Sequence, residues 1–195
     1  MEVKAMNEKI TRTCNCAFRA DETDGERWIE GYFAVFGDVY DMGYGMTESI
    51  APEAFTKHLD GDIRVLVNHD STLVLGRTKA GTASVTADSH GVYVRCKINP
   101  DDTDAMNLYA RTKRGDVSQA SFGGYIISEE RTVDGATGNR HYTLTDIDVY
   151  EFSVCTFPAY EATEVGAREK NFGNIAFKRW KSEMEEKTKK WHSDK

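Results

Sequence analysis

The sequence predicts a mainly β (α+β) fold, in which an antiparallel β-barrel is surrounded by a few helices. Apolar and polar residues alternate in several short segments, most clearly where Val92, Val94, Cys96 and Ile98 share one face. Turn-forming residues, chiefly glycine, separate these segments, and the clearest helix signals fall in a single stretch near the middle of the chain. About seven or eight short strands with one or two helices are typical of a closed sheet with helices packed outside it.

Each predicted element follows from its local pattern. Extended segments are expected at residues 11–18, 27–36, 63–67, 82–86, 91–98, 117–128 and 141–157. A short helix is expected to begin at Pro52, because proline is favoured in the first turn, and the glycine-rich stretch 37–45 is expected to be a loop. The clearest helix lies between acidic capping residues at 101–102 and Gly115, with basic residues in its last turn.

Length and composition fit one domain with short extensions. The 195 residues can bury a substantial core, and we divide them into an N-terminal extension (1–10), a main domain (11–167) and a charged, helical tail (168–195). The net charge of −7 argues against a nucleic-acid partner. The four cysteines form no C-x-x-C pair and are expected to be free, buried thiols. No signal peptide or bilayer-spanning stretch is recognised, so we expect a reduced, cytoplasmic protein without a membrane partner.

Ser121 is the first residue that could carry chemistry. It lies between Ala120 and Phe122 and is followed by Gly123 and Gly124. Glycine lets a backbone approach a ligand closely and turn its N–H groups toward an oxyanion, so both glycines are oxyanion-hole candidates. The segment is not the G-x-S-x-G elbow of α/β-hydrolases, because position 119 is glutamine. Taken alone, a serine in such a segment is far more often structural.

His69 is the candidate general base. It ends the apolar run 65–67, and an imidazole titrates close to neutral pH, which suits proton transfer from a serine. A third group has to orient such a histidine, and the segment 141–157 offers Glu151, with His141, Asp146 and Asp148 as alternatives. Glu151 is favoured because it interrupts an apolar run, where a carboxylate needs a buried partner. The histidines lack ligand spacing, so no metal site and no cofactor are predicted.

Four separated motifs occur along the chain in a fixed order. They are Val67-Asn68-His69-Asp70, then Leu75-Gly76-Arg77-Thr78, then Arg114-Gly115-Asp116-Val117 followed by Ser121-Phe122-Gly123, then Glu151-Phe152-Ser153-Val154 followed by Phe157-Pro158-Ala159-Tyr160. Together they resemble the bacteriophage prohead (capsid maturation) serine protease family over residues 25–165. Two departures flank the serine: Gln119-Ala120 replaces the Gly-Met that is frequent in relatives, and Gly124 replaces an aromatic residue.

This resemblance implies a fold, an activity and partners. The family is similar to the herpesvirus assemblins, whose β-barrel with surrounding helices carries a Ser-His-His site. Its serine falls on Ser121, its histidine on His69, and Glu151 takes the place of the second histidine. The main domain is then a protease domain. The implied enzyme is a serine endopeptidase that cleaves the scaffold region of the major capsid protein, and itself, inside the prohead in the cytoplasm of the bacterial host. Assemblins need dimerisation to order their sites, so self-association as a dimer is also expected.

Two other functions are compatible with the sequence. A non-catalytic capsid-assembly or scaffold protein could keep this fold, although the complete set of Ser121, His69 and Glu151 argues against it. A small β-barrel ligand-binding module would leave His69 far from Ser121. The charged tail would serve as a docking or packaging segment, as a removable end, or only as a solvated terminal helix.

Overall fold

Two β-sheets and one α-helix make up the part of the chain that the structure describes. This computed structural model describes residues 4–14 and 18–157, with side chains for 9–12 and 18–157. In chain order the elements are β1 (Lys4–Cys14), β2 (Phe18–Thr23), β3 (Glu26–Val35), β4 (Tyr40–Gly43), β5 (Met46–Ile50), β6 (Arg64–Val67), β7 (Asp70–Arg77), a 3₁₀ turn (Thr78–Ala80), β8 (Ala83–Ala87), β9 (Gly91–Ile98), α1 (Thr103–Arg114), β10 (Gln119–Val133) and β11 (Arg140–Cys155).

The larger sheet is organised around β11. Its strands follow the order β1-β10-β11-β5-β4, and β6 pairs with both β11 and β7. β11 runs antiparallel to β10, but parallel to β5 along its first half and parallel to β6 along its second half. The smaller sheet has the order β2-β3-β9-β8, and α1 packs against it through β2, β3 and β9.

The main core lies where the inner faces of the two sheets meet. Phe33 from β3 contacts Phe152 from β11 edge-on, with ring centroids 6.0 Å apart, and Phe122 from β10 contacts Phe55 at 5.2 Å. All four rings are fully or almost fully buried. Side chains alternate between the two faces of a strand, so the residues that flank Phe122 and Phe152 point to the opposite face of the larger sheet.

Several predicted elements are confirmed. The helix forms at Thr103–Arg114, where the carboxylate of Asp102 accepts hydrogen bonds from the N–H groups of Asp104 and Ala105. It ends at Gly115, whose left-handed φ of 89° is the conformation that favours glycine at this position. β8 and β9 form the predicted antiparallel hairpin.

The predicted antiparallel barrel differs from the observed architecture. The described strands form two separate sheets that do not close into a barrel, and the larger one contains parallel pairs. The reason is that β11 pairs with β5 and β6, which lie far away in sequence. Local alternation gives the face of a side chain, but it does not give the partner strand.

Three local predictions also differ from the structure. Residues 4–10 are not a terminal extension but the first part of β1, which pairs with β10. The loop expected at 37–45 contains the short strand β4. The segment after Pro52 forms successive turns, in which N–H groups donate to carbonyls three residues earlier, because packing that buries Ala54 and Phe55 overrides the helix preference.

The predicted tail at 168–195 lies outside the described residues. Among the residues that are described, no helix is long and apolar enough to span a bilayer.

Candidate active site

His69 lies in the two-residue turn that joins β6 to β7. Asn68 and His69 both have left-handed backbones, with φ of 51° and 62°, as a type I′ hairpin turn requires. The turn is tied to the end of β11, because the Asn68 N–H donates to the Val154 carbonyl at 2.9 Å and the Asn68 side-chain oxygen accepts from the Thr156 N–H at 3.0 Å. These bonds place the His69 ring against β11.

The left-handed backbone at His69 gives a stability prediction. We expect His69→Gly to be more stable than His69→Ala by about 1 kcal/mol, since only glycine adopts this conformation without steric cost. Chemical denaturation of the two variants measures the difference. Ser84, an exposed residue in the regular ladder between β8 and β9, is the matched control site. At Ser84 the glycine variant should be less stable than the alanine variant. If the glycine variant were the more stable one at both sites, strain at His69 would be refuted.

Three alternate residues of β11 contact three different parts of His69. Its Nδ1 lies 2.5 Å from Oε1 of Glu151, its backbone N–H donates to Oγ of Ser153 at 3.1 Å, and its Nε2 lies 3.7 Å from Sγ of Cys155. The side chain of Glu151 is only 5% exposed, whereas that of His69 is 23% exposed. One side of His69 therefore packs against a face of β11, and its other side is accessible to solvent.

The Glu151 carboxylate sets the tautomer of His69. Oε1 faces His69 and Oε2 accepts the Ser153 hydroxyl at 2.7 Å. A carboxylate only accepts hydrogen bonds, so the proton of the neutral imidazole lies on Nδ1 and Nε2 is the basic nitrogen. This is the arrangement that a general base needs when a carboxylate orients it.

Gly123 makes room for this carboxylate. It is paired with Glu151 across β10 and β11, and the register then shifts so that Tyr150 is the extra residue of a bulge. A side chain at Gly123 would place its Cβ 2.3 Å from Oε1 of Glu151, so a larger residue there would displace the carboxylate from its present position. A Cβ added at Gly124 would lie 2.9 Å from Cγ2 of Ile147. Close packing thus accounts for both glycines, and their oxyanion-hole role stays a prediction.

Ser121 lies on the neighbouring strand and on the same face of the sheet. It is directly opposite Ser153 in the antiparallel pair of β10 and β11, and such residues have Cβ atoms about 5 Å apart. Its hydroxyl is fully buried and donates to the carbonyl oxygen of Arg12 at 2.8 Å. Among the residues that the structure describes, Ser121 and His69 share no hydrogen bond. The structure thus joins His69 to Glu151 and places Ser121 one strand away, with its proton directed toward β1.

The alternative third residues have other partners. Both ring nitrogens of His141 contact hydroxyls of β5, Thr47 at 2.8 Å and Ser49 at 2.9 Å. Asp146 binds Lys57 and His58. Burial would raise the pKa of Asp146, but its hydrogen bonds to these two groups hold that pKa below the ordinary value. Asp148 is half exposed and lies 3.6 Å from His58. Of the four side chains considered from the sequence, Glu151 is the one that contacts His69.

Two residues that contribute to the site, Ser153 and Arg12, were not identified from the sequence. Ser153 follows Glu151 by two residues, and this spacing on a predicted strand could have placed both on one face. Arg12 forms a buried ion pair with Glu48 of β5, and its backbone carbonyl accepts the hydrogen bond from the Ser121 hydroxyl. No local pattern around Arg12 points to this pairing, because its partners are distant in sequence.

Comparison with known proteins assigns this arrangement to a family. The model of the caudovirus prohead serine proteases matches residues 15–178, a span that includes His69, Ser121 and Glu151. The chain belongs to this family. The match confirms the resemblance drawn from the four motifs.

Two individual proteins are also similar to this chain. The chain is 31% identical over 149 residues to the prohead protease of Enterobacteria phage HK97, a match that covers 74% of this chain and 61% of that protein. Among solved structures it is similar to the bacteriophage T4 capsid assembly protease, with a TM-score of 0.44 and 14% identity over 74% of this chain and 97% of that one.

Proposed function

We propose that this protein is a serine endopeptidase of phage capsid maturation. It cleaves the scaffold region of a major capsid protein, and its own chain, inside an assembling prohead in the cytoplasm of the host bacterium. Membership of the prohead serine protease family supports this proposal. The observation that carries it is the contact between His69 and the buried Glu151, one strand away from Ser121. A dimeric state, expected from the assemblin resemblance, is part of the same proposal.

The proposed reaction is acyl transfer through Ser121. Its Oγ attacks the scissile carbonyl carbon while Nε2 of His69 accepts the hydroxyl proton. The C–N bond then breaks, the imidazolium returns the proton to the leaving amine, and water hydrolyses the acyl-enzyme by the same route. Glu151 holds Nδ1 and stabilises the imidazolium.

One rearrangement precedes attack in this proposal. The Ser121 hydroxyl has to leave the Arg12 carbonyl and turn toward Nε2 of His69. Rotation about the Cα–Cβ bond of Ser121 moves the hydroxyl between staggered positions without moving either strand. The arrangement in which the Ser121 hydroxyl donates its hydrogen bond to the Arg12 carbonyl is then a resting state, and substrate binding or self-association triggers the rotation.

A cysteine nucleophile is the second function that a specific contact favours, because Sγ of Cys155 lies 3.7 Å from Nε2 of His69. We predict that Cys155→Ala still cleaves, within about tenfold of the wild-type rate, since one weak S–H contact contributes about 1 kcal/mol or less. Rates on a peptide that spans the capsid cleavage site measure this. Complete loss of cleavage in a folded Cys155→Ala protein would instead assign the reaction to the thiol.

Co-expression tests the proposed function directly. The chain is expressed with the major capsid protein of the same phage, and intact masses of the assembled shells are measured. We expect the capsid protein to lose its scaffold segment and this chain to appear in shortened forms. Shells assembled without this chain control for host proteases. An uncut capsid protein in shells that contain the folded chain would favour the non-catalytic assembly protein.

A further inference from the structure

Ser153 occupies the centre of the contacts between β11 and the His69 turn. Its side chain is fully buried, and its hydroxyl donates to Oε2 of Glu151 at 2.7 Å while accepting the His69 backbone N–H at 3.1 Å. It therefore touches both members of the pair, and it does so through atoms other than those that join His69 to Glu151.

The two bonds of Ser153 restrain two different movements. Its donation to Oε2 stops the Glu151 carboxylate from rotating, which keeps Oε1 directed at Nδ1 of His69. By accepting a hydrogen bond from the His69 N–H, the Ser153 hydroxyl also holds the backbone of His69 in its left-handed conformation, which would otherwise relax. A buried hydroxyl that is satisfied on both sides fixes the geometry of the groups it joins.

We propose that Ser153 is a positioning residue for the His69–Glu151 pair. This inference rests on the proposed function. Ser153 is fully buried and acts through the two groups it holds, with its hydroxyl donating to a carboxylate. A residue that only fills space would tolerate alanine, because Ser153→Ala removes one oxygen and adds no volume.

The test combines kinetics with a spectroscopic readout. We expect Ser153→Ala to lower kcat by about 10- to 100-fold, in line with small displacements of catalytic groups, and to leave KM within about twofold. Ser49→Ala is the matched control, since Ser49 is also a buried serine of the larger sheet bonded to a histidine, His141. It should keep the wild-type kcat.

The readout independent of cleavage is the Nδ1–H proton of His69, observed by NMR in the Ser121→Ala background. With Ser153 present this proton should resonate far downfield and exchange slowly with solvent. In the Ser153→Ala protein it should shift upfield and exchange at least about tenfold faster, because its acceptor is no longer held. If Ser153→Ala does not fold, Ser153→Cys, with a weaker donor of similar shape, should show the same change to a smaller extent.

The outcomes separate this inference from the proposed function. An unchanged His69 signal together with wild-type kcat in the folded Ser153 variant would overturn the positioning role while leaving the protease intact. A signal that moves as expected, in a chain whose wild-type form never cleaves the capsid protein, would support the positioning role and refute the protease. Equal losses in Ser153→Ala and Ser49→Ala would also overturn it, because they would reflect loosening of the sheet.

Discussion

Ser121→Ala is expected to abolish cleavage, lowering kcat by about six orders of magnitude, the effect typical of removing the nucleophile of a serine protease. The substitution leaves no oxygen at the position that attacks the carbonyl, so neither the peptide nor the chain itself is cut. The variant should still fold, since the lost bond to the Arg12 carbonyl contributes about 1 kcal/mol. Cleavage rates and intact masses of the co-expressed capsid protein measure the effect.

Ser128→Ala is the matched control for this substitution. Ser128 is a second serine of β10, partly buried, and its hydroxyl is bonded to Thr145 at 2.5 Å rather than to any residue of the site. It should cleave at the wild-type rate. Normal processing by the Ser121 variant would show that the nucleophile lies elsewhere.

Glu151→Gln is expected to have the second largest effect, a fall in kcat of about 10⁴-fold. Glutamine has nearly the same shape, but its amide group can present N–H to the imidazole, which then carries its proton on Nε2 and cannot accept one from Ser121. The imidazolium formed during the reaction also loses the negative charge beside Nδ1. Steady-state kinetics should show the change mainly in kcat rather than in KM.

Asp146→Asn is the control for the carboxylate. Asp146 lies on the same strand and also contacts a histidine, His58, at 3.0 Å, so the substitution removes a comparable charged pair outside the site. We expect kcat to be unchanged by it. A large loss with Asp146→Asn and a small one with Glu151→Gln would assign the third role to Asp146, which the sequence also allowed.

The sequence predicted those parts of the site that depend on local pattern. Residues 141–157 were expected to be extended, and a carboxylate that interrupts an apolar run in this segment needs a partner, which is how Glu151 was chosen. The structure supplies that partner in His69. Asp102 and Gly115 likewise bound the helix as their residue types predict.

What could not be predicted depends on pairing between distant segments. β6 lies parallel to the second half of β11, and this places the Asn68–His69 turn over Glu151 and Ser153. Nothing in the residues around His69 encodes that neighbour. The same holds for β1, part of which was expected to be an N-terminal extension. Its pairing with β10 places the Arg12 carbonyl where the Ser121 hydroxyl donates to it. Strand partners are set by the whole core, so a barrel was predicted where two sheets form.

The most direct test of the central claim is to find which atom of this chain is the nucleophile. The wild-type protein, assembled with its capsid protein, is treated with a fluorophosphonate that modifies activated serines, and the adduct is located by peptide mass spectrometry. We expect one adduct, on Ser121, which disappears in His69→Ala and falls sharply in Glu151→Gln. An adduct on Ser153, or processing of the capsid protein without modification of Ser121, would contradict it.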